Sequence, residues 1–208
     1  MANNPLFNTP IFRVAFPSVF EPHKDSGKYE VVMLLPKEST DLTEMKQQAA
    51  DALIRTFKTK EKIPADARVN PFGDGDERYE NAAEDKKATY ESFRGMWYVN
   101  AKTKFPPSVF NRRREALEKE EQFYAGCWAH ARVCAFGYDQ KSSGVAFGLD
   151  SLLFVRHDAA FKGGGNAAVG FESLLDADAD EGVNPNAGAS TAAAPAVASD
   201  DPLASLMS

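Results

Sequence analysis

The sequence predicts an all-β body with an inserted helix, a five-stranded barrel, followed by a disordered acidic C-terminal tail. Three observations predict it. Five segments rich in β-branched and aromatic residues are bounded by turn residues. One segment, 39–57, changes to helical period. Charge and composition shift after Lys162, the last basic residue of the chain.

"TPIFRVAFPSVF" (9–20) and "KYEVVMLLP" (28–36) are the first two strands, and the turn residues of "EPHKDSG" between them make a hairpin. In "STDLTEMKQQAADALIRTF" (39–57), Leu42, Met45, Ala49, Ala52, Leu53 and Phe57 share one helical face. Thr40 or Asp41 is placed to cap its start. Residues 60–93, which contain "NPFGDGDERYENAAEDKK", read as an irregular polar stretch. "RGMWYVNAKTKF" (94–105) returns to strand. "PPSVFNRRREALEKEEQF" (106–123) opens with prolines and reads as a short helix, supported by Glu115 and Lys119 at i,i+4. Two long strands follow, "GCWAHARVCAFGYD" (126–139) and "GVAFGLDSLLFVRHD" (144–158), joined by "QKSSG". From "KGGGN" onward the composition is that of a disordered tail, interrupted at most by a helical turn in "FESLLDA".

Five strands with one helix between the third and fourth is the order of an oligonucleotide-binding barrel, the OB-fold. The 39–57 helix and the loop after it form an insertion at about 39–93 between strands two and three. A β-rich sandwich fits the same elements. The expected division is a body of residues 1–171 and a tail of 172–208, and 208 residues leave no room for a second full domain.

The formal net charge of -6 argues against a nucleic-acid partner until its distribution is read. From Glu172 onward there are seven acids (Glu172, Asp176, Asp178, Asp180, Glu181, Asp200, Asp201) and no basic residue. The body keeps 23 acids against 24 basic residues, a net of +1. Such asymmetry marks a detachable acidic tail. Cys127 and Cys134 lie seven apart in one strand, point to opposite faces and do not bridge each other. With no signal peptide and no apolar run of membrane-spanning length, a reducing cytoplasm is the expected setting.

Alternation sorts the side chains of the third and fourth strands. Trp97, Val99 and Ala101 face the core, and Arg94, Met96, Tyr98, Asn100, Lys102 and Lys104 face away. Cys127, Ala129, Ala131, Val133 and Ala135 form a small apolar face, opposite Trp128, His130, Arg132, Cys134, Phe136 and Tyr138. Each strand thus mixes rings with positive charge on one side. Rings offer flat surfaces to bases and cations neutralise phosphates. The same rings also suit packing under the inserted helix or at a subunit interface. "NRRRE" adds Arg112, Arg113 and Arg114 on a surface element, suited to tracking a phosphate backbone or to a solvated face. The candidate single-strand-binding residues are therefore Arg94, Tyr98, Lys102, Lys104, Arg112, Arg113, Arg114, Trp128, His130, Arg132, Phe136 and Tyr138.

Catalytic signatures are weak. "KGGGNAAVG" lacks the lysine and hydroxyl of a phosphate-binding loop and reads as a linker. Three scattered histidines and two cysteines make no zinc site, so no metal or other cofactor is expected. "DGDE" (74–77) is the one concentrated carboxylate cluster. Asp74, Asp76 and Glu77 suit a polar turn or, as the alternative reading, the magnesium site of a phage nuclease or recombination enzyme. The spacing of a calcium loop fails there.

"NTPIFRVAFPSVFEPH…GKYEVVMLLPK", "GMWYVNAKT" and the long hairpin "YAGCWAHARVCAFGYDQKSSGVAFGLDSLLFVRHD" resemble the OB-fold single-stranded DNA-binding proteins of tailed phages. The resemblance covers roughly residues 5–175, and the hairpin is its most specific part. It implies a non-enzymatic protein of phage DNA replication and recombination, acting in the infected cell's cytoplasm. It also implies a mobile acidic C-terminus that contacts replication or recombination partners, here through Asp200, Asp201, Leu203, Leu206 and Met207. One departure stands out: tails of that kind end in an aromatic residue, and this one ends "LASLMS". A structural or assembly protein whose barrel packs only against other proteins is the third reading.

Overall fold

The computed structural model describes residues 4–161 and Leu203. Its strands are β1 (Leu6–Asn8), β2 (Phe12–Ser18), β3 (Tyr29–Pro36), β4 (Gly73–Asp74), β5 (Met96–Thr103), β6 (Ser108–Phe110), β7 (Trp128–Asp139) and β8 (Ser143–Arg156). β2, β3, β5, β8 and β7 pair in that order, and β7 returns to β2. They are the five expected strands, closed into a ring, and closure removes the unpaired edges that an open sheet would leave. Every pair in the ring is antiparallel except β5 with β8, which is parallel and spans only Ala101↔Phe147 and Lys102↔Gly148. β1 adds to β7, β6 to β8 and β4 to β5.

Alternation fills the ring, and on β5 and β7 it does so as expected. Val31, Met33 and Leu35 of β3, Val99 and Ala101 of β5, and Ala129, Ala131, Val133 and Ala135 of β7 are all buried in one core. The α-helix α1 (Thr43–Phe57) lies against β7 and β8, and Met45, Ala49, Ala52, Leu53 and Phe57 join that core. Its N-cap residue is Leu42, which has no side-chain cap; just before it, Asp41 Oδ1 accepts the Thr43 N–H at 2.9 Å. Gly137 lets the helix approach: a Cβ there would run into the Thr56 side chain. Cys127 is buried, which pushes its thiol up to about 12, and both cysteines are free.

The stretch read as irregular, 60–93, contains two short helices, α2 (Gly75–Glu80) and α3 (Glu84–Tyr90). They escape a periodicity reading because neither is long enough to show a period. A second small core, Ala15, Leu34 and Phe93 with Tyr90, Met96 and Tyr98 around it, seats this insert on the outer face of β2, β3 and β5. The expected helix at 106–123 is absent. "SVF" there is β6, and "NRRRE" is a tight turn in which Asn111 Oδ1 accepts the N–H groups of Arg113 (2.9 Å) and Glu115 (3.0 Å). A single i,i+4 ion pair is worth about 0.2–0.5 kcal/mol, too little to outweigh that side-chain turn. Only the 3-10 turn Glu120–Gln122 is helical. The 171/172 boundary and "FESLLDA" lie outside the described residues.

Lys37 pins the insert. Its Nζ lies 2.6 Å from Asp74 Oδ1 and 2.7 Å from Asp76 Oδ2, above the Trp97 ring at 4.8 Å. Asp74 also caps α2, and Asp76 Oδ1 accepts the Gly95 N–H at 2.9 Å. The hydrogen bond from Lys37 is the main cause holding both carboxyls below the ordinary aspartate value of 3.8. Carboxylates depressed on folding stabilise above their unfolded value and lose that contribution as pH falls through the folded value. Lys37→Met is therefore expected to melt at lower temperature near neutral pH, with its deficit shrinking on acidification below pH ~4. Thermal melts across pH check this; a pH-independent deficit contradicts it.

Candidate nucleic-acid interface

A groove of about 700 Å³ opens beside the short β5–β8 junction. One wall is β5, with Tyr98, Asn100, Lys102 and Lys104. The other is the β7–β8 hairpin, with Phe136, Tyr138, Gln140, Lys141 and Ser142. Lys28, at the end of the β2–β3 hairpin loop, and Arg68, from the insertion, complete it. Arg68 is placed by its backbone: its N–H donates to Ser143 O at 2.9 Å, and its O accepts the Val145 N–H at 3.0 Å. Gly144 permits this approach with φ 158, since a Cβ would sit 2.7 Å from Arg68 O.

The electrostatics are one-signed. Lys28, Arg68, Lys102, Lys104 and Lys141 line the groove and no Asp or Glu does. Lys102 pairs with Glu30 at 2.6 Å, and the Arg68 guanidinium donates to Asn70 O and Pro71 O, so both are held in place. Lys28, Lys104 and Lys141 make no ion pair among the described residues. Next to Lys104, Phe105 is 77% exposed, the most exposed large apolar side chain described. An aromatic ring left in water beside a row of cations is suited to stacking on another flat ring.

Of the twelve candidate residues, five line this groove: Tyr98, Lys102, Lys104, Phe136 and Tyr138. The others lie elsewhere. Arg94 pairs with Glu91 and lies 5.1 Å from the Tyr79 ring, against the insert. Arg112, Arg113 and Arg114 occupy the turn after β6, which pairs with residues 151–153, the far half of β8. Trp128 is 8% exposed, with Arg13 and Arg156 over its ring and its Nε1–H donating to Asp158 Oδ2 at 2.6 Å. That ring is buried and its contacts are structural, so it offers little open surface to a base. His130 Nδ1 sits 2.9 Å from Thr9 O, and Arg132 is exposed where β7 pairs with β1. Lys28, Arg68, Lys141 and Phe105 were missed. Lys28 and Lys141 had a signal, since the OB-fold uses its first and last hairpin loops for binding; Arg68 had none.

Two of the three carboxylates of the nuclease alternative, Asp74 and Asp76, are already occupied, and Glu77 is exposed. Asp74 and Asp76 share the Lys37 ammonium and accept backbone N–H groups, so they form the insert's anchor and not a cation site. Among the described residues no three His, Cys, Asp or Glu side chains are grouped so as to hold a metal ion. Asp200, Asp201, Leu206 and Met207 of the tail lie outside the described residues. Leu203 is described and is buried in the main core, 3% exposed.

Residues 7–183 match the family described as the ssDNA-binding protein of Enterobacter phage Enc34. Protein p50 of Acyrthosiphon pisum secondary endosymbiont phage 1 is 34% identical over 182 residues, covering 81% of this chain and 94% of p50. Two solved structures share the fold. The single-stranded DNA-binding protein of bacteriophage Enc34, in complex with ssDNA, is 24% identical with TM-score 0.57, covering 75% of this chain and 89% of that one. Gp2.5, a single-stranded DNA-binding protein of bacteriophage T7, is 13% identical with TM-score 0.55, covering 87% and 98%.

Proposed function

Because the chain belongs to the Enterobacter phage Enc34 ssDNA-binding protein family, we propose that its groove binds and protects single-stranded DNA during phage DNA replication and recombination. The observation that carries this reading is a groove lined by five cations, no acid and three exposed or half-buried rings. Cations along a groove track phosphates whatever the sequence, and rings accept any base, so the contact carries little sequence preference. Tyr98, Phe136, Tyr138 and Phe105 supply the faces. Lys28, Arg68, Lys102, Lys104 and Lys141 supply the charge. The protein acts stoichiometrically, without catalysis, metal or cofactor, in the cytoplasm of the infected cell. No described helix is long and apolar enough to cross a membrane.

Titration of oligo(dT) in excess chelator across a salt series tests this. Tight binding without strand scission is expected, with a log–log salt slope of up to about 3.5 in magnitude if all five cations meet phosphates. Lys104→Ala with Lys141→Ala lowers the slope by about 1.4, and an Arg112–Arg114 triple alanine variant leaves it unchanged. Magnesium-dependent scission would favour an enzyme, and no binding would favour a protein-packing barrel.

The tail is the second part of the proposal. Seven acids with no basic residue, tethered to a body of net +1, form a local polyanion that competes with DNA for the groove's cations. Its tip then contacts replication or recombination partners when DNA displaces it. Burial of Leu203 in the main core supports a tip that returns to the body, and burying one leucine contributes roughly 1.5–3 kcal/mol. A chain truncated after Phe171 is expected to bind oligo(dT) more tightly than full length at low salt and equally at high salt. Identical isotherms at every salt concentration would leave the tail no role in binding.

A further inference from the structure

A second chamber of about 500 Å³ lies on the other side of Tyr98. Tyr98 lines both spaces, and the segment 68–73 borders both, with Arg68 and Pro71 on the first and Asn70, Phe72 and Gly73 on the second. Gly73 makes the shared wall thin: it pairs with Tyr98 across β4–β5, and a Cβ there would collide with the tyrosine ring. The two chambers are thus neighbours across one aromatic side chain.

Their chemistry differs. Whereas the first is lined by five cations and no acid, the second holds Arg78 with Asp74 and Glu77, and Asp74 is already satisfied by Lys37. A space with one cation beside two carboxylates does not attract phosphate. What it offers is rings, Phe72, Trp97 and Tyr98, and the side-chain amides of Asn70 and Asn81. Asn70 Oδ1 accepts the Phe72 N–H at 3.0 Å, which leaves its NH₂ to donate. The Asn81 amide is exposed at the end of α2. Arg78 is fixed by a hydrogen bond to Tyr90 Oη at 2.9 Å. Flat apolar walls with a few amide and guanidinium donors match the edge and face of a nucleobase.

We infer that a bound strand does not end at Tyr98 but turns over it, and that the second chamber receives bases of the adjoining nucleotides. This rests on the proposed single-strand binding and extends it: the first chamber holds phosphates and stacks bases on its rings, and the second, without a phosphate-attracting lining, takes further bases. The insertion between strands two and three, which builds the second chamber, thereby lengthens the site rather than only covering the barrel.

Trp97 reports directly on this, because it lines the second chamber while the chain's other tryptophan, Trp128, is buried and held by Arg13, Arg156 and Asp158. Full-length protein is titrated with oligo(dT) of increasing length, following anisotropy of labelled DNA and tryptophan fluorescence. Short oligonucleotides bind with little change in fluorescence; beyond a threshold length affinity rises and Trp97 is quenched. Asn81→Ala, and Asn81→Ala with Arg78→Ala, remove the length-dependent gain, about tenfold, and leave short-oligonucleotide affinity within about twofold. Trp97→Phe abolishes the quenching while keeping the gain. Asn81 guards against misfolding as the explanation, since it is exposed and its side chain makes no hydrogen bond among the described residues that a variant would break. A length gain untouched by these variants, or no gain, overturns the inference alone. Failure of every oligonucleotide to bind overturns the reading beneath it, and the inference with it.

Discussion

The ring closes through one short parallel junction, and the groove exists because that junction is short. β5 runs alongside β3 for eight residue pairs but meets β8 over only two, Ala101↔Phe147 and Lys102↔Gly148. On either side the strands part. Farther along, β8 takes β6 as its partner instead, at residues 151–153. The parted strands turn Tyr98, Asn100, Lys102 and Lys104 toward open space opposite Phe136 and Tyr138. Arg68 then joins by pairing its backbone to the start of β8. A longer junction would bring the two walls together and leave these side chains on a flat barrel surface.

The division of charge follows the division of the chain. A barrel core demands apolar alternation on one face only, so the other face is free to carry lysines without cost to the core. The acids that give the chain its net charge of -6 are not spread over that face; the groove lining has none, and seven lie beyond residue 171. The acids near the groove are partnered: Glu30 meets Lys102 of the groove itself, Asp139 accepts the Ser143 hydroxyl, and Asp74 and Asp76 meet Lys37. The Lys37 cluster seats the insert that forms the second chamber, so carboxylates that resemble a metal site in the sequence serve positioning instead.

Strands and core were legible because period 2 and burial are the same fact read twice: Val99, Ala101 and the β7 alanines lie where alternation puts them. The site was legible only in part, because alternation gives the side of a strand and not the position along it. β7 has twelve residues, roughly 40 Å of chain, so Trp128 and Tyr138 share a face yet lie in different neighbourhoods. At one end Trp128 meets Arg13, Arg156 and Asp158; at the other Tyr138 lines the groove. Arg68 was illegible since only the folded chain brings it to Gly144. The 106–123 segment was misread because Asn111, a turn-forming side chain, outweighs a helical charge pair.

The central claim is that single-stranded DNA lies in the groove beside the β5–β8 junction. Amide chemical-shift mapping of the full-length protein with oligo(dT) tests it most directly. The account predicts that perturbations concentrate at Lys28, along residues 98–105 and through the 136–146 hairpin, with Arg112–Arg114 and Trp128 unmoved. Perturbations centred on Arg112–Arg114, Arg132 and Trp128, with the hairpin 136–146 silent, would contradict it.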